Sequence, residues 1–382
     1  MKIVVIPSWY PNDRLHTQGA FFRDQALALS ETHEVDVIYC HREKYFSSRT
    51  YADEGVNTHY WNYRLRLGSF LGMLGRILIF LLMFTFYYRK NKPGLIHCHS
   101  VAFNQNGAAG IAGILIGAIY SIPVIITEHA TVFATKNYSF LEKKLMQWAL
   151  NKADTVIAVS VELKQHLFEF CGRVSIEVIP NTLDVNKFNP SIQTRKLKND
   201  HIKMCSIGYL MHKKGFDRLI NVIFLLKKRK NIHVKLDIIG DGPEKAALMK
   251  MVAKLGLTDS ISFLGEMSKN EVARVLPNYD IFILLSRVET FGVVFIEALA
   301  CGLYCIGTQC GGPEYILDDT RLGVIFKNSD IPSDYVEELS LLLLNKSIFE
   351  FRDYRFSVAE NRYSFTSFRH EFYDKVIKKY EL

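Results

Sequence analysis

Ile281-Phe282-Ile283-Leu284-Leu285-Ser286-Arg287-Val288-Glu289-Thr290-Phe291-Gly292-Val293-Val294-Phe295-Ile296-Glu297-Ala298-Leu299-Ala300-Cys301-Gly302 is the stretch that decides the fold. Its first five residues are apolar without interruption, too few for a helix and branched enough for a buried parallel strand. Ser286 to Glu289 break that run as a loop. Thr290 is placed to cap a helix, and Val293, Val294, Ile296, Ala300 and Cys301 recur at helical spacing until Gly302 stops it. A strand, a short loop and a helix start put unpaired N–H groups and a positive dipole end at the C-terminal edge of a sheet, where phosphates bind. Glu289 precedes that helix and Glu297 lies within it. Among Phe295, Ile296, Ala298 and Leu299 a carboxylate is costly unless strong donors meet it, and a pair of sugar or ribose hydroxyls would do so. The other reading makes Glu297 a surface residue and Glu289 a first-turn charge favoured by the dipole. Spacing alone leaves both open.

The wording around the two carboxylates is more specific than their spacing. Ser286, Glu289-Thr290-Phe291-Gly292, Glu297-Ala298 and Gly302, followed by Gly311-Gly312 and Glu314, closely resemble the E-x7-E signature of retaining glycosyltransferases of the GT-B fold, the large family-four type. The resemblance implies two doubly wound, Rossmann-like α/β domains facing across a cleft, with a C-terminal helix crossing back to the first. It implies a first, acceptor-side domain over 1–188 with 363–382 packed on it, a linker over 189–201 and a nucleotide-sugar-binding domain over 202–362.

Composition agrees with that scale. The chain has 382 residues, which suits two domains, and 49% of them are hydrophobic, ample for sizeable cores. A net charge of +8 calls for an acidic or phosphorylated partner or an anionic membrane surface. Nucleic acid is disfavoured, since the basic residues are dispersed and no recognition motif occurs. Seven cysteines form no C-x-x-C pair and read as reduced core residues, which with an N-terminus lacking signal-peptide features points to a cytoplasmic protein.

Lys2 to Pro7 is the first strand, and no G-x-G-x-x-G follows it, against a nicotinamide dehydrogenase. Gly19 precedes a helix over Ala20 to Ser30. The resemblance makes it the glycine that lets backbone approach the donor diphosphate; the bland reading is a turn into the helix. His97 and His99 share a face of the strand Leu95 to His99. With no third ligand near in sequence they read as sheet or core histidines, not a metal site. The strand 122–127 ends in Glu128-His129-Ala130, where His129 matches the family's donor-sugar histidine; its alternative is a capping role.

In the second half, Gly208 to Gly215 matches the segment in which an arginine and a lysine hold the donor pyrophosphate. Lys214 fits the lysine, Tyr209 stands in place of the arginine, and Lys213 is a candidate substitute. Around Met267 the family holds the nucleobase. The resemblance thus assigns Glu289, His129 and Lys214 to catalysis, and Gly19, Lys213, Lys214, Met267, Glu289, Thr290, Phe291, Gly292, Val293 and Glu297 to donor binding. The donor is a UDP- or GDP-linked sugar acting as co-substrate, with no cofactor. No D-x-D occurs, so a metal ion is not expected. The expected reaction is retaining hexosyl transfer to an acceptor hydroxyl, with a lipid-linked saccharide of envelope polysaccharide synthesis as acceptor. An epimerase or phosphorylase of the same fold, or a non-catalytic sugar-nucleotide-binding subunit, are the competing readings.

One stretch bears on the acceptor. From Ile77 the sequence is apolar all round, and Leu65 to Tyr88 contains Arg66 and Arg76 and is flanked by Arg64, Arg89, Lys90 and Lys92. Arg76 at its centre disfavours a true membrane span. A core helix and a helix lying at an anionic membrane surface through 65–92 remain, and surplus positive charge favours the second, which would place the protein at the inner face of the plasma membrane.

Overall fold

The computed structural model describes residues 1–11, 18–64, 69–102, 108–173, 175–188 and 202–381. The expected linker 189–201, Gly107 at the expected start of a helix running to Tyr120, and residues 65–68 of the apolar run lie outside them. The chain forms two compact α/β units: unit 1 takes Met1–Thr182 and Phe365–Leu382, unit 2 takes Leu183–Ser364.

Unit 1 is built on β1 (Lys2–Pro7), β2 (Glu34–Arg42), β3 (Ser47–Asp53), β4 (Val56–Tyr63), β5 (Leu95–His99), β6 (Val124–Glu128), β7 (Thr155–Ala158) and β8 (Ile176–Val178). They order as β3-β4-β2-β1-β5-β6-β7-β8. All neighbours run parallel except β3, which pairs antiparallel with β4. The β3–β4 hairpin was not among the expected strands. Its turn is Glu54-Gly55, both at positive φ (47° and 94°), the backbone that closes a two-residue hairpin. β1, β5 and β6 are buried at every position but Lys2, as central parallel strands are, although β5 carries His97 and His99 and β6 ends in Thr127-Glu128. The helix Phe365–Lys375 belongs to this unit: Phe368, Phe372, Val376 and Ile377 join Ile3, Val35, Leu95 and Ile125 in one core.

The helix Ser69–Tyr88 is two-faced, not apolar all round to one effect. Met73, Ile77, Phe80, Met83, Phe84 and Tyr87 are buried, while Leu71, Leu74, Leu78, Leu82 and Phe86 are exposed along the opposite side. Arg76 falls on the inner side, where its Nε donates to the Tyr63 hydroxyl at 2.8 Å, so it is not part of the outward basic fringe. Its segment Leu71–Tyr88 is long and apolar enough to cross a membrane by composition, yet 33% of it is buried within the unit.

Unit 2 is a six-stranded sheet of β9 (Lys203–Ile207), β10 (Lys235–Ile239), β11 (Ile261–Gly265), β12 (Ile281–Ile283), β13 (Tyr304–Thr308) and β14 (Gly323–Phe326). The order is β11-β10-β9-β12-β13-β14, all parallel. The strand order reverses at the β9/β12 boundary, so the loops after these two strands flank the crevice where such sheets take ligands. In unit 1 the corresponding pair is β1 and β5.

Candidate active site

At the unit 2 switch point the loop after β9 carries Lys213 and Lys214 in a single 3-10 turn, His212–Lys214, closed by Gly215. Gly215 has φ 68°, and a Cβ there would lie 1.8 Å from the Leu285 carbonyl oxygen, so only glycine lets this loop meet the loop after β12. The Arg287 amide donates to the Lys213 carbonyl at 2.7 Å. The Arg287 guanidinium then fixes both loops: it donates to the His212 carbonyl at 2.7 Å, to both Asp217 oxygens at 2.8 Å and to Asp330 at 2.9 Å. Asp330 is shared with Arg218.

This frame brings the Lys214 ammonium onto the Glu289 carboxylate as a hydrogen-bonded ion pair. Glu289 is 9% exposed, and its amide donates to the Cys310 carbonyl at 3.0 Å. Burial works against its charge, yet the Lys214 ammonium, the Lys213 ammonium and the Thr290 N–H outweigh it and hold the carboxyl below the usual glutamate value. Lys213 is half-buried, and burial together with the Lys214 charge pulls it below the ordinary lysine value, with Glu289 opposing. Two ammonium groups and one ionised carboxylate thus converge here.

The helix after β12 spans Val293–Ala300. Thr290 does not cap it: Gly292 does, at φ 89°, by its backbone conformation and with no side-chain cap hydrogen bond. The helix N-terminus therefore follows directly on Glu289. Thr290 and Val293 are half-buried around it, and Phe291 is packed against Tyr315 and Tyr363 with 1% exposure, so it meets this loop through its backbone. Glu297 is buried at 8% exposure within the helix, with the Lys269 ammonium 3.9 Å away. The surface reading of Glu297 fails on that burial. Glu314 accepts from the Gly311 amide at 3.0 Å, so its carboxylate covers a donor that the paired glycines present. Tyr209 is 60% exposed after β9, and Met267 is half-buried after β11.

In unit 1, Gly19 stands at φ 75° before the helix Ala20–Ser30, and a Cβ would come within 2.7 Å of the Trp9 carbonyl oxygen. That helix seats Phe22 between Trp9, stacked at 5.6 Å between centroids, and His99, stacked at 4.6 Å. His129 lies edge-on to Phe22 at 4.8 Å, and its Nε2 is 3.2 Å from His99 Nδ1. Glu128 is wholly buried and accepts from Ser100 Oγ, Val101 N, His129 N and Ala130 N. It therefore fixes the strand end that carries His129. Burial lowers all three histidines, His97 to about 3, and the neighbouring imidazoles lower His99 and His129 further. Among the described residues no group of three side chains is placed to hold a metal.

Sequence reasoning singled out the carboxylates and lysines but missed Arg287, Asp217 and Asp330, which hold them. It also missed the coupling of His99 to His129; the signal available was that both end neighbouring strands.

Residues 18–187 match the model described as Glycosyltransferase Family 4, and residues 188–361 match Glycosyl transferases group 1. The N-acetyl-alpha-D-glucosaminyl L-malate synthase of Bacillus anthracis is 27% identical over 66% of the chain and 66% of that protein. The phosphatidylinositol N-acetylglucosaminyltransferase gpi3 subunit of Schizosaccharomyces pombe is 30% identical over 58% of the chain, but the match spans only 48% of that protein. Among solved structures, sucrose-phosphate synthase from Thermosynechococcus elongatus aligns with a TM-score of 0.80 at 16% identity, covering 99% of both chains. Anabaena HepE in complex with UDP and glucose gives 0.75 at 16% identity, covering 98% of this chain and 99% of that one. At such identities these likenesses show the fold, which is GT-B. With both halves matched by paired family models, the chain belongs to the family 4, group 1 glycosyltransferases.

Proposed function

We propose that this chain is a retaining, metal-independent hexosyltransferase that moves a sugar from a UDP- or GDP-linked donor to a hydroxyl of a lipid-linked saccharide, in cell-envelope polysaccharide synthesis at the cytoplasmic face of the membrane. The observation that carries the reading is the Lys214–Glu289 pair at the β9/β12 switch point, beside the helix N-terminus at Gly292. When a donor arrives, Lys214 exchanges its carboxylate for the leaving diphosphate. The amides of Gly292 and Val293 meet the same charge, and both contacts strengthen as negative charge develops on the leaving oxygen. Glu289, released, accepts from sugar hydroxyls, as His129 donates to one. Glu297 accepts from the ribose, Gly19 gives the sugar diphosphate room, and Met267 lies where the base is held. Lys213 supplies the positive charge that Tyr209 cannot.

The acceptor side rests on the helix Ser69–Tyr88. Its outward row of Leu71, Leu74, Leu78, Leu82 and Phe86 is apolar. From Gly55 to Thr127 the sequence holds six basic residues and no acidic one. An apolar row within a wholly basic segment suits an anionic bilayer, from which a lipid-linked acceptor is drawn. The names of the relatives give N-acetylglucosaminyl groups on malate and on phosphatidylinositol, one small and one lipid partner.

The test is release of nucleoside diphosphate from a panel of UDP- and GDP-sugars, with and without a chelator, in vesicles containing lipid extract. We expect one donor class to turn over and the chelator to leave the rate unchanged. No turnover of any donor overturns the transferase reading; loss of turnover restored by magnesium or manganese overturns metal independence. Failure to float with phosphatidylglycerol-containing vesicles at low salt overturns membrane contact alone.

A further inference from the structure

The outward row of the helix Ser69–Tyr88 does not end at the helix. Leu71, Leu74, Leu78, Leu82 and Phe86 follow one another at steps of three and four residues, a stripe roughly 22 Å long. At its far end the Phe86 ring meets Trp61 of β4 at 6.0 Å between centroids, and Trp61 meets Phe46 at 5.9 Å. Residues 59, 61 and 63 share a face of β4: His59 packs on Tyr87 and the Tyr63 hydroxyl accepts from Arg76, so Trp61 is turned to the same helix. Phe46 precedes the edge strand β3 and is 67% exposed, next to Tyr45 at 57%. The stripe thus turns a corner onto the loop between β2 and β3. Cations accompany it. The Arg89 guanidinium lies 5.3 Å from the Phe86 ring centroid and the Lys92 ammonium 3.6 Å from that of Tyr88, while Arg42 and Lys44 are exposed beside Tyr45 and Phe46. Glu43, the acidic residue of this loop, is half-buried, and the acidic turn of the hairpin lies at its other end, where Glu54 pairs with Arg23 at 3.6 Å.

We infer that unit 1 meets an anionic bilayer on two elements, the helix stripe and the aromatic corner of Tyr45, Phe46 and Trp61, and that the corner fixes which way the unit faces. The inference rests on the proposed membrane contact and adds a second point of attachment to it. A single stripe lets a helix roll about its own axis, and an anchor beside it stops the roll. The chemistry is graded as a lipid surface is: leucines for the acyl boundary, and Trp, Tyr and Phe with stacked Arg and Lys for the headgroup level. A second copy of this chain is disfavoured, because a two-fold contact on this face would bring Arg42, Lys44, Arg89 and Lys92 against like charges. The corner follows β2, which runs parallel to β1, β5 and β6, so it lies at the sheet edge that also carries Gly19 and His129. Anchoring there brings that edge to the bilayer, where a lipid-linked hydroxyl is presented.

Binding of the full-length chain to phosphatidylglycerol-containing vesicles at low salt tests this, with Trp61 as a built-in reporter. Vesicles carrying brominated acyl chains should quench the tryptophan fluorescence of the parent, and at saturating lipid that quenching should fall in Trp61→Phe. Quenching that is unchanged in Trp61→Phe overturns the inference. Phe46→Ser, at an exposed position, should weaken vesicle partition about tenfold, and Phe46→Trp should restore it. Partition of Phe46→Ser equal to that of the parent overturns the two-element surface; if Leu78→Glu still fails to float, membrane contact stands on the helix alone. Failure of the parent to float overturns the membrane reading and this inference with it. Sedimentation without vesicles covers the other occupant: a dimer that Phe46→Ser and Leu78→Glu both dissociate assigns the face to a second copy and overturns the inference.

Discussion

Replacing Lys214 by Met removes an ammonium and keeps its stem. Glu289, 9% exposed, then loses its principal counter-charge, while Lys213 and the Thr290 N–H remain. Removing one partner of a buried pair costs about 3–5 kcal/mol, and the two remaining contacts with the 16% exposure of Lys214 reduce this to about 2–3 kcal/mol near neutral pH. The sign of the pH dependence follows from the direction of the shift. In the parent, the Glu289 carboxyl is depressed on folding, so its contribution is full above the unfolded value of 4.5 and is lost as pH falls through the lower folded value. In Lys214→Met burial dominates and raises the folded value, so the carboxylate opposes folding at neutral pH and ceases to do so once both states are protonated. The difference between parent and variant should therefore be largest near pH 7, begin to shrink as pH falls through the variant's raised folded value, and shrink further below about pH 4.5 as the parent carboxylate is protonated. Trp9, Trp61 and Trp148 all lie in unit 1, so tryptophan fluorescence does not report on this site. Hydrogen exchange of peptides covering β12 and the helix Val293–Ala300 does. A stability difference that is constant between pH 7 and pH 4 would refute the account of how Glu289 is held ionised.

Glu297→Ala should weaken nucleoside diphosphate binding about tenfold to hundredfold through loss of a charge-assisted hydrogen bond, measured by calorimetric titration. Gly215→Ala should destabilise unit 2 by about 3 kcal/mol or more, because the new Cβ meets the Leu285 carbonyl in a left-handed backbone; the measurement is the same peptide exchange. On the helix Ser69–Tyr88 the faces should separate: Phe80→Ala costs about 3–5 kcal/mol, whereas Leu78→Glu, at a position 60% exposed, changes stability by less than about 0.5 kcal/mol in urea denaturation yet abolishes flotation with anionic vesicles.

What the sequence revealed follows a physical divide. The strand β12 and its helix were legible because the apolar run is too short for a helix and rich in branched residues, and the helical spacing after it stops at Gly302. The cap was misassigned to Thr290 because a hydroxyl is the ordinary cap, whereas Gly292 works here by backbone conformation, which composition does not display. Which leucines of Ser69–Tyr88 are exposed was not legible, because residue type alone does not tell which surface covers it. Arg287 read as an ordinary loop charge, since its partners Asp217 and Asp330 are 70 and 43 residues away. The contact of His99 with His129 spans 30 residues and exists only because β5 and β6 are neighbours in register. Carboxylates and lysines of the donor site were found from local wording; the groups that hold them in place were not, because sheet order joins them.

The most direct test of the account is the anomeric configuration of the first-formed glycoside. Proton NMR of the product, taken before mutarotation or secondary hydrolysis, should show the configuration carried by the sugar in its nucleotide donor. A product of opposite configuration would contradict the assignment of Lys214, Glu289 and the Val293–Ala300 helix to a retaining transferase.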